Sequence, residues 1–264
     1  MIQKEKLEAL LGNCPIGHTL IIKEVTDSTN LDIKRAAESG AVHGTVAVGE
    51  QQTAGKGRRG RTWVSPPGEN LYFSMMLCPD FAAEKASMVT LVMALAVAQA
   101  VRSIGLDAGI KWPNDVVTGG KKICGILTEL FFREDNSFYV VIGTGINVNQ
   151  RQFPEEIQAT ATSLLLARRE AVDREALLAG VLLYFSEYYD KLVRCGDLSG
   201  LRNEYESLLV NLGASVEVLD PKGAWKGTAQ GIDNAGELLV CHEDGHVEAV
   251  YAGEVSVRGI YGYV

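Results

Sequence analysis

The run Gln51-Gln52-Thr53-Ala54-Gly55-Lys56-Gly57-Arg58-Arg59-Gly60-Arg61-Thr62-Trp63 decides how the rest of the chain is read. It is a polar, glycine-rich loop between two apolar segments, 45–50 and 70–77, whose composition predicts strands. Lys56, Arg58, Arg59 and Arg61 crowd into it. Glycines let a backbone come close to an anion and expose N–H donors. Guanidinium groups grip phosphate or carboxylate through paired hydrogen bonds. The loop therefore suits a ligand with several anionic oxygens, such as a nucleotide phosphate. It is not a P-loop, because Gly49 and Gly55-Lys56 stand one residue too far apart and Gly57 replaces the Ser/Thr. Nor does Gly55-Lys56-Gly57-Arg58-Arg59-Gly60 open a helix, since Pro66-Pro67 follows. A solvated basic loop is the competing reading of the same residues.

Upstream, 18–25 predicts a strand, and Asp27-Ser28-Thr29-Asn30 supplies capping residues for a helix. Leu31, Ile33, Ala36 and Ala37 recur at helical spacing, and Gly40 stops that helix. Downstream, 88–104 reads as a helix. A strand over 108–112 stops at Pro113, and Val116-Val117 extends it to the Thr118-Gly119-Gly120 turn. Segments 123–132 and 138–148 form a hairpin about Glu134-Asp135-Asn136-Ser137. Helical periodicity returns over 176–193 and 201–212. From Ala214 the pattern changes to short strands at 216–219, 226–232, 238–240, 247–251 and 255–257. Pro221-Lys222-Gly223, Asp233-Asn234-Ala235-Gly236 and Glu243-Asp244-Gly245 separate them, which suggests a small barrel. A boundary near Gly213 divides an α/β or α+β part, 1–212, from a small β unit, 213–264.

The 264 residues suggest one or two domains, at roughly 150 residues each. With 47% hydrophobic and 22% charged residues, the chain has the profile of a folded soluble protein and not of a disordered one. Lys+Arg number 25 and Asp+Glu 33, and the resulting charge of −8 makes a poor nucleic-acid coat. Cys14, Cys78, Cys124, Cys195 and Cys241 make no C-x-x-C pair, which speaks against disulfides or a zinc knuckle and for a reducing compartment. The N-terminus lacks the apolar core and cleavage site of a secretory signal. The most apolar run, 88–101, falls short of the roughly 20 residues a spanning helix needs, so it reads as a core helix. The expectation is a cytoplasmic protein that binds neither DNA nor membrane.

Three further stretches carry chemistry. Lys111-Trp112-Pro113-Asn114-Asp115 ends a strand and presents an amide and a carboxylate; Asp115 suits magnesium, and an Asx turn is the plain alternative. In Gly119-Gly120-Lys121-Lys122-Ile123-Cys124-Gly125-Ile126-Leu127, a lysine at the strand start either reaches a phosphate or acyl oxygen or simply guards an edge. In Gly143-Thr144-Gly145-Ile146-Asn147-Val148-Asn149, the glycines imply close approach of a ligand or backbone, and Asn147 has the groups to meet an adenine edge. His242 and His246 flank Glu243-Asp244-Gly245 beside Cys241, but a metal there lacks a sound fourth ligand, and a solvated hairpin is the reading. No nucleophile elbow is present in the sequence.

Taken in this order, Asp27 to Asn30, Gly55 to Arg61, Lys111 to Asp115 and Lys121 to Leu127 resemble the biotin protein ligases, which ligate biotin to the biotin carboxyl carrier protein of acetyl-CoA carboxylase. The match runs from about Ile21 into the C-terminal unit. Lys56 stands where many members have arginine, which keeps charge and loses bidentate geometry. The match begins too near the start for the winged helix of the regulatory members, so a form without the helix-turn-helix repressor domain is expected. The resemblance implies an α+β fold, with a core similar to class II aminoacyl-tRNA synthetases followed by an SH3-like β-barrel. It implies two steps: biotin and ATP give biotinyl-5′-AMP and pyrophosphate, then a carrier lysine takes the biotin and releases AMP.

Carried over by motif, Ser28, Thr29, Asn30 and Gln52 would hold the ureido end of biotin, and Lys56, Gly57 and Arg58 would fold over the ligand. Gly125, Leu127, Gly143 and Gly145 would line that pocket. Lys122 would contact biotin's carboxylate and the α-phosphate; Arg58 would retain the adenylate. Arg61, Lys111, Asn114 and Asn147 would bind ATP, and Trp63 would stack near adenine. Asp115 would act in catalysis, through Mg2+ or the incoming amine. ATP and Mg2+ with biotin as substrate are implied, with no tightly bound prosthetic group; a homodimer through a sheet edge is compatible. A lipoate or octanoate ligase of the same fold, and a non-catalytic biotinyl-AMP-binding regulator, are the alternatives.

Overall fold

A computed structural model describes residues 1–220, 223–251 and 256–259. Two sheets and a helical layer share one apolar core. The larger sheet has seven strands: β1 (Thr19–Thr26), β2 (Thr45–Gln52), β3 (Leu71–Leu77), β4 (Gly109–Lys111), β5 (Asp115–Thr118), β6 (Lys121–Phe132) and β7 (Phe138–Ile146). Their order is β1-β2-β3-β7-β6-β5-β4. Only β1 and β2 pair in parallel, and the connection between them runs through a helix over Thr29–Glu38, as a parallel crossover must. With α1 at Lys4–Leu11, that crossover helix is α2, and α3 spans Met88–Ser103. Short α4 (Leu164–Arg168), long α5 (Arg174–Cys195) and α6 (Arg202–Leu208) follow.

The two-residue strand period sorts the sheet's faces. Val46, Val48, Phe73, Met75, Ile142 and Ile146 point into the core with α3 and α5. Ala47, Met76, Tyr139 and Val141 point the other way and meet Ile33 of α2. That second face is only partly covered. Beyond α2, its alternating positions are small or polar at Ser74, Gly125, Gly143 and Gly145, with Leu127 the one large apolar residue among them. Helix α3 is apolar all round because 12 of its 16 residues are buried. Together with the turn before it, it is long and apolar enough to cross a membrane, yet 72% of that window is buried inside the protein.

The smaller sheet holds β8 (Ser215–Asp220), β9 (Gly223–Ile232), β10 (Leu238–Cys241), β11 (Val247–Val250) and β12 (Ser256–Gly259), in the order β11-β10-β9-β8-β12. All its pairs are antiparallel. Val216, Val218, Ala229, Leu238 and Val240 continue the main core. Fully buried Trp112 joins the two sheets. Its backbone N–H donates to Asn211 Oδ1 at 2.8 Å, and its indole Nε1 donates to the Gly236 carbonyl at 2.9 Å.

The fold is mixed α+β with a separate antiparallel sheet at the C-terminal end, as the sequence predicts. Two local expectations fail, over 115–118 and 201–212; one helix is unannounced, and one strand and one turn lie partly outside the described residues. Residues before β1 form a helix, α1, that periodicity over eight residues is too short to announce. The segment 115–118 does not extend 108–112; it turns back at Pro113 and pairs antiparallel, Lys111 opposite Asp115. The helix expected over 201–212 ends at Leu208, where Leu209 turns extended and bridges to Ile110. The last strand is Ser256–Gly259; Val255 of the expected 255–257 lies outside the described residues, as do Pro221 and Lys222 of the expected turn.

Candidate active site

The uncovered part of the second sheet face carries two adjoining pockets. The smaller is floored by β6 and β7. Ser28, Thr29 and Asn30, at the start of α2, form one wall with Gln52 at the end of β2. Lys56, Gly57 and Arg58 come over it from the loop, and Lys122, Gly125, Leu127, Gly143 and Gly145 complete it. The larger is a cavity of about 760 Å³ that includes Arg61, Lys111, Asp115 and Asn147. Gly57, Arg58, Trp63, Asn114 and Lys122 line both. Every residue carried over by motif thus lines one of two adjoining pockets, while His242 and His246 do not.

The smaller pocket is fixed by hydrogen bonds. Thr29 N–H donates to Gln52 Oε1 at 3.0 Å, and Gln52 Nε2 donates to Ser65 Oγ at 3.0 Å. Ser28, Thr29 and Asn30 are all buried. Gly143 is glycine for a visible reason: a Cβ there would lie 2.1 Å from Asn30 Oδ1. At Gly145 a Cβ would lie 2.6 Å from Trp63 Nε1, so the indole lies flat on that strand. The Trp63 ring fills much of the smaller pocket and leaves about 50 Å³ open. Its buried Nε1–H has no partner among the described residues.

The loop is a folded hairpin. Gly57 N–H donates to the Arg61 carbonyl at 2.7 Å, and Trp63 N–H to the Gly55 carbonyl at 2.9 Å. Arg59 turns it at a left-handed φ of 57°. Lys56, Arg59 and Arg61 are exposed, while Arg58 is half-buried and donates to Asn114 Oδ1 at 2.8 Å. Burial pushes the Arg58 guanidinium below its usual pKa; Asp115 opposes the shift, and Arg59 and Arg61 add to it. Arg58 therefore gains from any anion placed beside it.

Where the pockets meet, Lys122 Nζ sits 2.5 Å from Asp115 Oδ1, with both side chains largely buried. The same ammonium lies 5.4 Å from the centre of the Trp63 ring. Asn114 is pinned by its Nδ2 to the Ile126 carbonyl at 3.1 Å. Asn147 is buried and spends an Nδ2 proton on the Thr162 carbonyl at 3.1 Å. The sequence did not reveal the far wall of the larger cavity, which includes Gln150, Phe153, Ile157 and Thr160. It is held by backbone, Lys122 N–H to the Thr160 carbonyl at 2.8 Å, a contact no side-chain pattern encodes. Also missed were Ser74 and Glu129, which stand behind Asn30. The His242–His246 turn is a hairpin, with His242 N–H donating to the His246 carbonyl at 2.9 Å.

Comparison with known proteins places this geometry in context. Residues 22–147 match the biotin/lipoate A/B protein ligase family, and residues 212–258 match the biotin protein ligase C-terminal domain. The chain is 36% identical over 245 residues to the bifunctional ligase/repressor BirA of Bacillus spizizenii, covering 92% of this chain and 75% of that protein. It is 33% identical over 238 residues to the biotin–[acetyl-CoA-carboxylase] ligase of Mycobacterium tuberculosis, covering 87% of this chain and 85% of the relative. The solved biotin protein ligase of Aquifex aeolicus in complex with biotin and ATP superposes with a TM-score of 0.79 at 34% identity, over 92% of this chain and 99% of that one.

Proposed function

The chain belongs to the biotin protein ligases of the biotin/lipoate A/B protein ligase family, and from that membership we propose how its two pockets divide the work. It is an ATP-dependent biotin–protein ligase that acts on acetyl-CoA carboxylase. One observation carries the division: a prewired pocket walled by uncharged Ser28, Thr29, Asn30 and Gln52 opens onto a cation-lined cavity, and Lys122, Arg58 and Trp63 stand at the junction.

In this reading the ureido head of biotin enters the smaller pocket. Ser28, Thr29, Asn30 and Gln52 offer the mix of donors and acceptors that a cyclic urea needs. Trp63 shifts to admit it, and Gly125, Leu127, Gly143 and Gly145 accommodate the ring and valeryl chain. ATP takes the larger cavity, with Arg61 and Lys111 toward its phosphates and Asn114 and Asn147 toward the nucleoside. A biotin carboxylate oxygen then attacks the α-phosphorus; the bond to the β-phosphate oxygen breaks and pyrophosphate leaves. Lys122 Nζ is placed to lie between carboxylate and α-phosphate, where negative charge gathers in the transition state. Lys56, Gly57 and Arg58 close over the acyl phosphate and keep water from it. A lysine amine of the acceptor protein attacks the acyl carbon, an amide forms and AMP departs.

Asp115 is the best placed carboxylate for magnesium. It already accepts from Lys122 and Asn114, so an ion fits there when phosphates and water provide most of its oxygens. When bound, the ion would neutralise phosphate charge. We further assign 1–212 as the catalytic unit and 213–264 as a C-terminal unit that steadies Lys111–Asp115 through the Gly236 carbonyl, which accepts from the Trp112 indole. The acceptor is a biotin carboxyl carrier domain. The open edge of β1 is suited to strand pairing in a homodimer, and the free cysteines suit the cytoplasm.

The test is exchange of labelled pyrophosphate into ATP with biotin, lipoate or no acid. Exchange with biotin alone supports the reading. Exchange with lipoate moves the activity to the sister ligases, and no exchange from folded protein with magnesium overturns it.

A further inference from the structure

The pocket that faces the ureido group is backed by a residue that no part of the reading above uses. Glu129 lies on β6 two positions beyond Leu127, so it shares the pocket's sheet face. Asn30 Nδ2 donates to Glu129 Oε2 at 2.6 Å. On its other side, Asn30 Oδ1 accepts from Ser74 Oγ at 2.5 Å. The Ser74 and Thr29 hydroxyl oxygens are 2.7 Å apart. Thr29 N–H then meets Gln52, and Gln52 meets Ser65. Glu129, Asn30, Ser74, Thr29, Gln52 and Ser65 form one chain of hydrogen bonds under the pocket.

The chain has a direction, and Glu129 sets it. A carboxylate only accepts hydrogen bonds, whereas the Asn amide can face either way. With Glu129 accepting, the Asn30 NH2 must point to β6 and its oxygen to Ser74. Ser74 has one proton, which goes to Asn30. The Thr29 proton then has two acceptors within reach, Ser74 Oγ at 2.7 Å and Gln52 Oε1 at 3.2 Å; in both cases Ser74 donates nothing to Thr29, and the lone pairs of Thr29 Oγ1 are left for the pocket. A cyclic urea brings two N–H donors, so an acceptor there is what it requires. Reverse the Asn30 amide and each proton along the chain is free to turn.

We propose that Glu129 is a positioning residue that fixes the proton direction of the Asn30–Ser74–Thr29 chain and so presents Thr29 as an acceptor to the ureido N–H. The inference rests on the smaller pocket taking biotin. Glu129 touches no reacting atom and acts through Asn30.

Pyrophosphate exchange with the full-length enzyme tests it, with KM measured separately for biotin and ATP. Glu129→Leu is expected to raise the biotin KM about tenfold, the value of one misdirected hydrogen bond, and to leave the ATP KM within about twofold. Glu129→Gln, which still offers a carbonyl acceptor, restores most of the loss. Ser74→Ala breaks the chain without touching β6 and raises the biotin KM in the same way, which guards against a folding defect in the Leu variant. Parallel rises in both KM values, or no rise in either, overturn the proposal. Wild-type enzyme that exchanges with lipoate and not biotin overturns the biotin reading itself, and the proposal with it.

Discussion

The two pockets are built on opposite plans. In the smaller one, buried Thr29 and Asn30 are locked to Gln52, Ser74 and Glu129, and buried Ser28 is held by Asp27, before any ligand arrives. At the mouth of the larger one, Lys56, Arg59 and Arg61 are exposed on a hairpin held mainly by its own backbone. With biotin assigned to the smaller pocket and ATP to the larger, as proposed, the difference follows from the ligands. A neutral urea is told from other neutral groups only by donor and acceptor positions, and these must be fixed in advance to discriminate. A polyphosphate is recognised by charge, which acts over distance and tolerates a movable partner. A loop that must open for substrates and close over an acyl phosphate cannot also be a rigid template.

The comparison breaks first at the junction. Lys122→Ala removes the ammonium that lines both pockets, where the proposed reading brings carboxylate and phosphate together. Single-turnover adenylation is expected to slow by about 10²- to 10³-fold, while biotin affinity changes by less than about threefold. Equal losses in both would make Lys122 part of the rigid template instead.

Gly143→Ala attacks the template directly. The new methyl would stand 2.1 Å from a hydrogen-bonded Asn30 oxygen, so the carboxamide must move. Biotin affinity by calorimetry is expected to fall at least about tenfold, with ATP affinity unchanged. An unchanged biotin affinity would mean that the pocket is as adaptable as the loop.

Arg58→Gly probes the adaptable side. Removing a half-buried cation from over the acyl phosphate is expected to speed release of biotinyl-AMP about tenfold. The melting temperature should move by no more than about 2 °C, because desolvation already makes this guanidinium costly to the apo fold. A large loss of stability with an unchanged off-rate would assign Arg58 to the scaffold.

How far the sequence revealed each plan depends on what holds it. The loop was legible because clustered cations and glycines are local, and the strands because β-branched runs are local. Lys122, Asn114 and the pocket glycines were legible through the family resemblance, and the structure brings them together. Glu129 and Ser74 were not. They reach Asn30 only through the register that sets Ser74 opposite Gly143 and Gly143 opposite Leu127, and register is a tertiary fact. The reversal at Pro113 was hidden for the same reason: Val116-Val117 reads as strand in either direction, and only pairing with Ile110 and Gly109 tells which.

The smallest effect lies at the outer end of the template. Asp27 Oδ1 accepts from Ser28 N–H at 2.7 Å and its carboxylate is clasped by Arg35 nearly two helical turns into α2. Arg35 holds the Asp27 carboxyl well below the usual carboxylate range, and the Ser28 amide adds to this. A depressed folded pKa gives stability that is present above the unfolded value of about 3.9 and is lost as pH falls through the folded one. The pair is more than one-third exposed on the Asp27 side, so solvent screens it strongly. Asp27→Asn is therefore expected to lower the melting temperature by only about 1–3 °C at pH 7. The gap from wild type should hold down to about pH 5, shrink below about pH 4 and narrow in high salt. A gap at pH 3 as large as that at pH 7 would show that the Asn side chain disturbs the Ser28 turn itself. An accompanying fall in biotin affinity at pH 7 would extend the rigid template out to the protein surface.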